Sequence, residues 1–192
     1  MKLKSFLFKI IILVVVSFLV VCYCIMFANT NNKYKQNDDR IYNQEDTFFL
    51  SKGIKCKVTN IEFLTAQNIN EQKDLKAVID DEEIYGVYQI TIKLQNIVDS
   101  NKQVSLYTDC LESLNYTSQF DIELFDFLNS NKKMEFMIGP GECYSVILPV
   151  VISKYSFLNE NFEEICERDF YFVTSLYPVK NMVKLKCIED II

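Results

Sequence analysis

The sequence lacks the residues on which many enzymes depend. Its 192 residues include no histidine and no tryptophan, and only four glycines and three prolines. Without histidine, the Ser-His and Cys-His nucleophile pairs and most catalytic zinc geometries are excluded. The glycines are isolated or part of one Gly-Pro-Gly turn, so no phosphate-binding loop is present, and the missing tryptophans leave no platform for stacking sugars. We therefore expect no catalytic activity and no cofactor.

Basic residues are few and unevenly placed. The chain has 20 lysines and arginines against 26 acidic residues. Lys2, Lys4 and Lys9 precede a long apolar run and every acidic residue follows it, so residue 10 onward holds 17 basic and 26 acidic residues, a net charge of −9. Because no basic stripe is visible, we expect phosphate backbones and anionic lipid headgroups to repel the domain, and we predict no nucleic-acid binding.

The apolar run from Ile10 to Ala28, IIILVVVSFLVVCYCIMFA, has 19 residues and no charge. A helix of that length spans about 28 Å, close to the roughly 30 Å hydrocarbon core of a bilayer. A cleaved signal peptide and a lipidated cysteine are the alternatives, but bulky residues precede Ala28, Cys22 and Cys24 where both would need small ones. The run therefore favours an intact membrane anchor through Ile10 to Ala28.

The flanks of this run bear on topology and domain boundaries. Lysines and arginines are balanced on its two sides, so their count does not set the orientation. A nine-residue basic tail is costly to translocate, which favours a single-pass protein of the cell membrane with an extracytoplasmic C-terminal domain. We predict a basic tail at 1–9, the anchor at 10–28, a polar tether at 29–46 and a domain at 47–192.

Within the domain the dominant period is two residues, which is typical of half-buried strands. Ile54, Cys56 and Val58 alternate with polar residues, and IYGVYQITIKLQNI sets the apolar face of Tyr88 to Leu94 opposite a polar one. Short helices are predicted at about 70–83 and 156–169. Further strands are predicted at Gln103–Thr108, Asp121–Leu128, Met134–Ile138, Tyr144–Ser153, Asp169–Ser175 and Met182–Ile188, the last near a sheet edge. The pattern predicts a mainly β, two-sheet β-sandwich with one or two short helical insertions.

Five cysteines lie in this domain: Cys56, Cys110, Cys143, Cys166 and Cys187. No CxxC pair occurs, so the spacing of thioredoxin-type redox sites and of zinc knuckles is absent. Three interpretations stay open. The alternation at Cys56 and Cys187 favours buried, small apolar side chains; one or two disulfides of undetermined pairing are the second interpretation. A catalytic thiolate is least favoured, because no histidine is present to activate it.

Acidic residues recur in two places. Asp80 to Glu83 are consecutive, and Asp121, Glu123 and Asp126 fall in a predicted strand. Calcium prefers several oxygen ligands from one loop, but neither group has the Asp-x-Asp-x-Asp-Gly spacing, so we interpret the run as solvated charge and assign no metal ligand. Asp126 has apolar neighbours on both faces of its strand, which indicates a strand buried on both sides or an outward contact surface, with the buried strand favoured.

The order of elements carries a family resemblance. After the anchor and tether come a long alternating strand, GVYQITIKLQNIVDS, and a turn of Pro140, Gly141 and Glu142 that leads into YSVILPVVIS. In this the chain resembles bacterial extracytoplasmic immunoglobulin-like β-sandwiches, most of all the telokin-like group of unknown function on lipoproteins and anchored proteins of Gram-positive bacteria. The resemblance implies an immunoglobulin-like fold and an extracytoplasmic location, and no activity or site residue.

The sequence therefore favours one function over two alternatives. The favoured one is a membrane-anchored module that binds a protein, peptide or cell-envelope partner. The alternatives are an extracytoplasmic enzyme of unfamiliar design, which uses carboxylates or a thiol, and a calcium-dependent adhesion module. No residue is assigned a catalytic, cofactor-binding or metal-binding role at this level.

Overall fold

The computed structural model describes residues 2–33, 39–79, 83–130, 132–157, 161–176 and 179–191. The chain divides into two units, residues 1–37 and residues 38–192. The first unit contains helix α1, Lys2–Lys33. Within α1, Ile12–Thr30 is 19 residues long and apolar enough to cross a membrane, and none of it is buried. The apolar N-terminal helix predicted from the sequence is thus present.

Strands dominate the second unit. The described residues form eleven strands, four short α-helices and one 3₁₀ turn. The strands are β1 (Arg40–Asn43), β2 (Thr47–Ser51), β3 (Ile54–Thr65), β4 (Ile84–Asn96), β5 (Lys102–Ser105), β6 (Cys110–Ser113), β7 (Tyr116–Gln119), β8 (Glu135–Ile138), β9 (Cys143–Ser153), β10 (Tyr171–Ser175) and β11 (Asn181–Lys184). The helices are α2 (Ala66–Glu71), α3 (Lys73–Val78), α4 (Ile122–Asn129) and α5 (Phe162–Cys166), and the 3₁₀ turn is Lys154–Phe157.

Two sheets make the sandwich. Sheet A has the order β1-β11-β10-β6-β7, and sheet B has the order β2-β3-β4-β9. Strands β5 and β8 form a separate two-stranded ribbon. Neighbouring strands are antiparallel except β1 and β11, which are parallel. The strand predicted near an edge, β11, is second from the edge because β1 pairs with it.

The core lies between the sheets, and the mainly β sandwich predicted from the period-two pattern is confirmed. Tyr88, Ile90, Ile92 and Leu94 of β4 are all fully buried. The ring of Tyr88 lies 5.4 Å from that of Phe170, which precedes β10. Alternation works here because every second side chain of a strand enters the core.

One predicted strand was wrong. Residues 121–128 lie in α4 and the residue that caps it: Oδ1 of Asp121 accepts the Leu124 N–H at 2.8 Å, and Ser130 ends the helix in the left-handed region at φ 46°. Leu124 is buried and Ile122 is exposed, as the 3.6-residue period requires. The error arose because a short run with apolar residues on both faces does not distinguish a buried strand from a helix.

The boundaries near the N-terminus also differ from the predicted ones. Helix α1 continues past residue 28 to Lys33, and β1 begins at Arg40, inside the stretch 29–46 that was predicted as a tether. The backbone N–H of Arg40 donates to the Lys180 carbonyl at 2.8 Å, just before β1 pairs with β11. A polar four-residue strand at a sheet edge carries no apolar alternation, so composition alone reads it as a tether.

Candidate binding surface on the outer face of sheet B

The outer face of sheet B is divided into two halves. In the first half, Leu64, Val87 and Val151 lie side by side in register on β3, β4 and β9. Helices α2, α3 and α4 cover this row, and their buried Leu75 and Leu124 belong to the same apolar cluster as Val87. We call this region the covered half.

The second half carries lysines, and among the described residues of the second unit no helix lies over it. On β3, Lys55 and Lys57 point away from the core while Ile54, Cys56 and Val58 point into it. The register of β3 with β4 sets Lys57 directly opposite Lys93 and Lys55 opposite Gln95. We call Lys55, Lys57 and Lys93 the lysine face, and the region around them the open half.

The strands on either side extend these two rows. The first row runs Thr47, Lys57, Lys93, Ser145, and the second runs Phe49, Lys55, Gln95, Cys143. Neither row contains a carboxylate, although acidic residues outnumber basic ones in the whole chain. The Phe49 ring is 55% exposed. The open half is therefore a cationic surface with an exposed aromatic ring at one side.

The lysines of this face are close together and unpaired. Directly opposite residues on antiparallel strands have Cβ atoms about 4.5–5.5 Å apart, and like charges in that position are destabilising. Among the described residues, none of the three lysines forms an ion pair; the pairs that do form are Lys154 with Glu83, Lys180 with Glu112 and Lys184 with Asp169. Concentrated positive charge without counter-charges attracts anions.

Sequence analysis missed this surface. The linear sequence contains no cluster of basic residues, but the folded domain does. Lys57 and Lys93 are 36 positions apart in the sequence, and the pairing of β3 with β4 places them side by side. The available signal was the alternation Lys55-Cys56-Lys57, which predicts two lysines on one strand face. Their partner on β4 depends on the register, which the sequence does not specify.

The free edge of β9 borders the open half and is closed by side chains. The Asn129 amide donates to the Ile147 carbonyl at 2.8 Å, and the Ile147 N–H donates to Asn129 Oδ1 at 2.8 Å. Three further outward carbonyls accept from Lys132 Nζ (Ser145 O, 2.6 Å), the Asp121 N–H (Pro149 O, 3.0 Å) and the Tyr116 hydroxyl (Val151 O, 3.4 Å). Pro149 itself offers no N–H. This edge is protected against pairing with another strand, so recognition by added strands is not favoured here.

The cysteines do not assemble into a site. All seven are free, which leaves none of the predicted disulfides. Cys56, Cys110 and Cys166 are buried, and burial raises the pKa of each of their thiols. A raised thiol pKa opposes the thiolate form that nucleophilic catalysis requires. Cys143 is exposed on the open half and Cys187 is partly exposed, so the interpretation as buried apolar residues holds for Cys56 and not for Cys187.

The carboxylates singled out in the sequence have structural roles or lie apart. Residues 80–82 fall outside the described residues, and Glu83 pairs with Lys154 at 3.2 Å. Asp121 caps α4, and Asp126 is exposed on that helix, so the favoured interpretation of a strand buried on both sides is wrong. A contact surface at Asp126 stays a prediction. In the described part of the chain, no group of three or more histidine, cysteine, aspartate or glutamate side chains is arranged to hold a metal ion.

One carboxylate that the sequence did not single out is buried in the core. Asp109 is 2% exposed, and its Oδ2 has no hydrogen-bond partner. Burial raises the pKa of Asp109 to about 8. Burial and, to a smaller extent, the charge of Asp109 raise the pKa of the Cys56 thiol; Cys56 lies between Lys55 and Lys57 on β3. An isolated buried carboxyl is neutral below its raised pKa, because the charged form is poorly solvated there.

Comparison with known proteins places these features in a family. Residues 28–181 match a domain of unknown function, DUF5028. The chain belongs to the DUF5028 family. No curated protein matches the sequence. Within the DUF5028 family this chain folds as a β-sandwich, and the finer resemblance to telokin-like, immunoglobulin-like domains stays a prediction.

Three solved structures resemble the chain at low identity. An uncharacterized β-sandwich protein from Clostridium difficile 630 is 12% identical, with a TM-score of 0.42, over 77% of this chain and 95% of that one. The yjhA protein from Bacillus subtilis is 12% identical, with a TM-score of 0.44, over 77% and 99%. A conserved hypothetical protein from Bacillus anthracis is 14% identical, with a TM-score of 0.42, over 72% and 94%. No function is carried over from these proteins.

Proposed function

We propose that this DUF5028 protein is a membrane-anchored, extracytoplasmic binding module that is not an enzyme, and that it engages an anionic partner through the open half of sheet B. The observation that carries this proposal is the lysine face: three outward-pointing lysines that form no ion pair among the described residues. Lys57 and Lys93 are exposed and directly opposite each other, and Lys55 is half-buried beside them. Such a pair lowers the stability of the fold. A binding role gives a reason for an arrangement that stability alone disfavours.

Helix α1 supports the anchoring part of the proposal. Its apolar window of 19 residues has the length that a bilayer requires and is not buried against protein. Bulky residues before each cleavage or lipidation point favour retention of the helix, and the basic tail of nine residues favours an extracytoplasmic domain.

The exposed thiol of Cys143 tests the topology without any new residue. Intact bacterial cells that express the full chain are treated with a membrane-impermeant maleimide, and the modified cysteine is identified by mass spectrometry. We expect modification of Cys143 in intact cells and its loss in Cys143→Ser. Modification of Cys143 only after lysis would place the domain on the cytoplasmic side and overturn the proposed location.

A photocrosslinking residue tests the binding part. Gln95 is exposed and lies opposite Lys55, so a crosslinker at this position samples the open half. Lys186 is exposed outside the open half and serves as the control position. We expect an adduct at position 95 that disappears when the three lysines are replaced by glutamine, and no equivalent adduct at position 186. Equal adducts at both positions would contradict binding at this face. So would an adduct at position 95 that persists after the three lysines are replaced.

A further inference from the structure

The open half differs in charge from the rest of the domain. The chain from residue 10 onward has a net charge of −9, yet the two rows of the open half hold three lysines and no carboxylate. A surface with one cationic face on an otherwise anionic body is attracted to an anionic plane through that face and repelled through the others. The charge distribution therefore selects an orientation as well as a partner.

The shape and chemistry of the face suit a plane of headgroups better than a pocket ligand. Two adjacent rows on a four-stranded sheet present a broad surface, and the lysine side chains have long apolar stems that let their ammonium groups reach outward. Phe49 stands opposite Lys55 in the same row and is largely exposed. Aromatic rings beside cationic residues enter the boundary between headgroups and acyl chains in membrane-surface proteins.

The chain also limits how far the domain can be from a membrane that holds α1. Six residues, 34–39, separate the end of α1 at Lys33 from the start of β1 at Arg40. A fully extended chain covers about 3.3–3.6 Å per residue, so this segment reaches about 25 Å at most. A short connection gives a second contact a high effective concentration, so even a weak attraction is then sufficient.

We propose that the lysine face docks on the anionic phospholipid headgroups of the membrane that holds α1. The proposal rests on the proposed anchoring and adds the identity of the partner: lipid phosphate, contacted by Lys55, Lys57 and Lys93, with Phe49 at the boundary. Each lysine near an anionic surface contributes a small, salt-sensitive attraction. Without the anchor, the three lysines would bind headgroups only weakly. When α1 keeps the domain near the membrane, the same weak attraction is sufficient for binding.

The full-length chain in vesicles tests this directly. One set of vesicles contains phosphatidylcholine alone, and the other contains phosphatidylcholine with phosphatidylglycerol. A water-soluble acylating ester modifies exposed lysines, and mass spectrometry follows each site. We expect Lys55, Lys57 and Lys93 to react several-fold more slowly on the anionic vesicles, while Lys73 and Lys186 react equally on both. High salt should abolish the difference because it screens exposed charges.

Matched variants separate the lysine face from overall charge. The first variant is Lys55→Gln, Lys57→Gln, Lys93→Gln, and the control is Lys73→Gln, Lys76→Gln, Lys186→Gln, which removes the same charge from exposed positions elsewhere. Cys143 lies in register with Gln95 and reports on both variants through its rate of modification by a maleimide. We expect phosphatidylglycerol to slow this rate in the original chain and in the control variant, and to leave it unchanged in the lysine-face variant.

Three results would overturn the lipid assignment. The first is equal lysine rates on the two kinds of vesicle, and the second is loss of protection in the control variant as well. The third is equal protection by soluble polyphosphate on neutral vesicles, which would assign the face to a free polyanion. If the vesicle rates are equal while Gln95 still crosslinks to a protein or a second copy of the chain, only the lipid assignment fails. If neither protection nor an adduct occurs, the proposed binding function fails too.

Discussion

The two halves of the outer face of sheet B share strands β3, β4 and β9, but one half is covered by helices and the other is open to solvent. The covered half presents Leu64, Val87 and Val151 to helices that bury Val87 fully and the other two partly. The open half presents the lysine face to solvent. Burial of apolar area stabilises the first half. Nothing comparable stabilises the second, where like charges lie opposite each other. The covered half therefore stabilises the fold, and the open half is available to a partner.

The covered half should show the largest loss of stability on mutation. Leu124→Ala removes a fully buried side chain of α4 from the cluster over sheet B, and we expect it to lower the free energy of unfolding by about 3–5 kcal/mol. Ile122→Ala on the exposed side of the same helix is the control, with an expected change within about 0.5 kcal/mol. Denaturant unfolding of the full chain in detergent measures both. Equal changes for the two variants would contradict the division of this helix into buried and exposed faces.

The core behind the open half should make stability dependent on pH. The pKa of Asp109 is about 8 in the folded protein, and its ordinary value of 3.8 applies to the unfolded chain. Between these two pH values the folded protein therefore binds more protons than the unfolded protein. Stability is therefore nearly full below about pH 4 and falls as pH rises. The decline is about 1.4 kcal/mol per pH unit at most and about 3.5 kcal/mol between pH 5 and pH 8.

Asp109→Asn should remove this decline, because the amide does not ionise. Asp74→Asn, at an exposed position of α3, should keep it. Unfolding midpoints measured at several pH values give the slope of stability against pH for each variant. This slope tests the role of Asp109 even if the substitution changes stability by a constant amount at every pH. A decline of the same steepness in Asp109→Asn would show that another group causes it.

At the edge between the halves, Asn129 should matter more for local opening than for packing. Asn129→Ala removes the two bonds to Ile147 and a third, from its amide to the Phe125 carbonyl at 2.9 Å. We expect a loss of about 1–3 kcal/mol and faster amide hydrogen exchange at Ile147. Asn60→Ala removes an exposed amide whose one partner among the described residues is the Glu62 side chain. This variant should leave both the free energy of unfolding and the exchange at Ile147 unchanged. Unaltered exchange at Ile147 in Asn129→Ala would contradict the role of this side chain in closing the edge.

The sequence predicts features that depend on neighbouring residues, and it does not predict features that depend on residues far apart along the chain. The alternation of Ile54, Cys56 and Val58 is local, so the buried and exposed faces of β3 were predicted correctly. The opposition of Lys57 to Lys93 depends on a register across α2, α3 and the bulge between Val58 and Asn60, and no local pattern encodes it. The helix at 122–129 was missed for a related reason. Its packing against β9 is what favours a helix over a strand, and this contact involves residues far apart in the sequence.

The smallest predicted effect addresses the open half itself. Lys93→Glu replaces a like-charge pair with an opposite-charge pair across from Lys57, and we expect it to raise the free energy of unfolding by about 0.2–1 kcal/mol at low salt. The gain should shrink at high salt because both side chains are exposed. Lys186→Glu, which has no lysine paired across from it in sheet B, should give no comparable gain. If Lys93→Glu stabilises the fold and also abolishes protection on anionic vesicles, the lysine pair is retained at a cost in stability for the sake of binding. A loss of stability in Lys93→Glu would mean that the two ammonium groups avoid each other and that repulsion between them does not destabilise the fold.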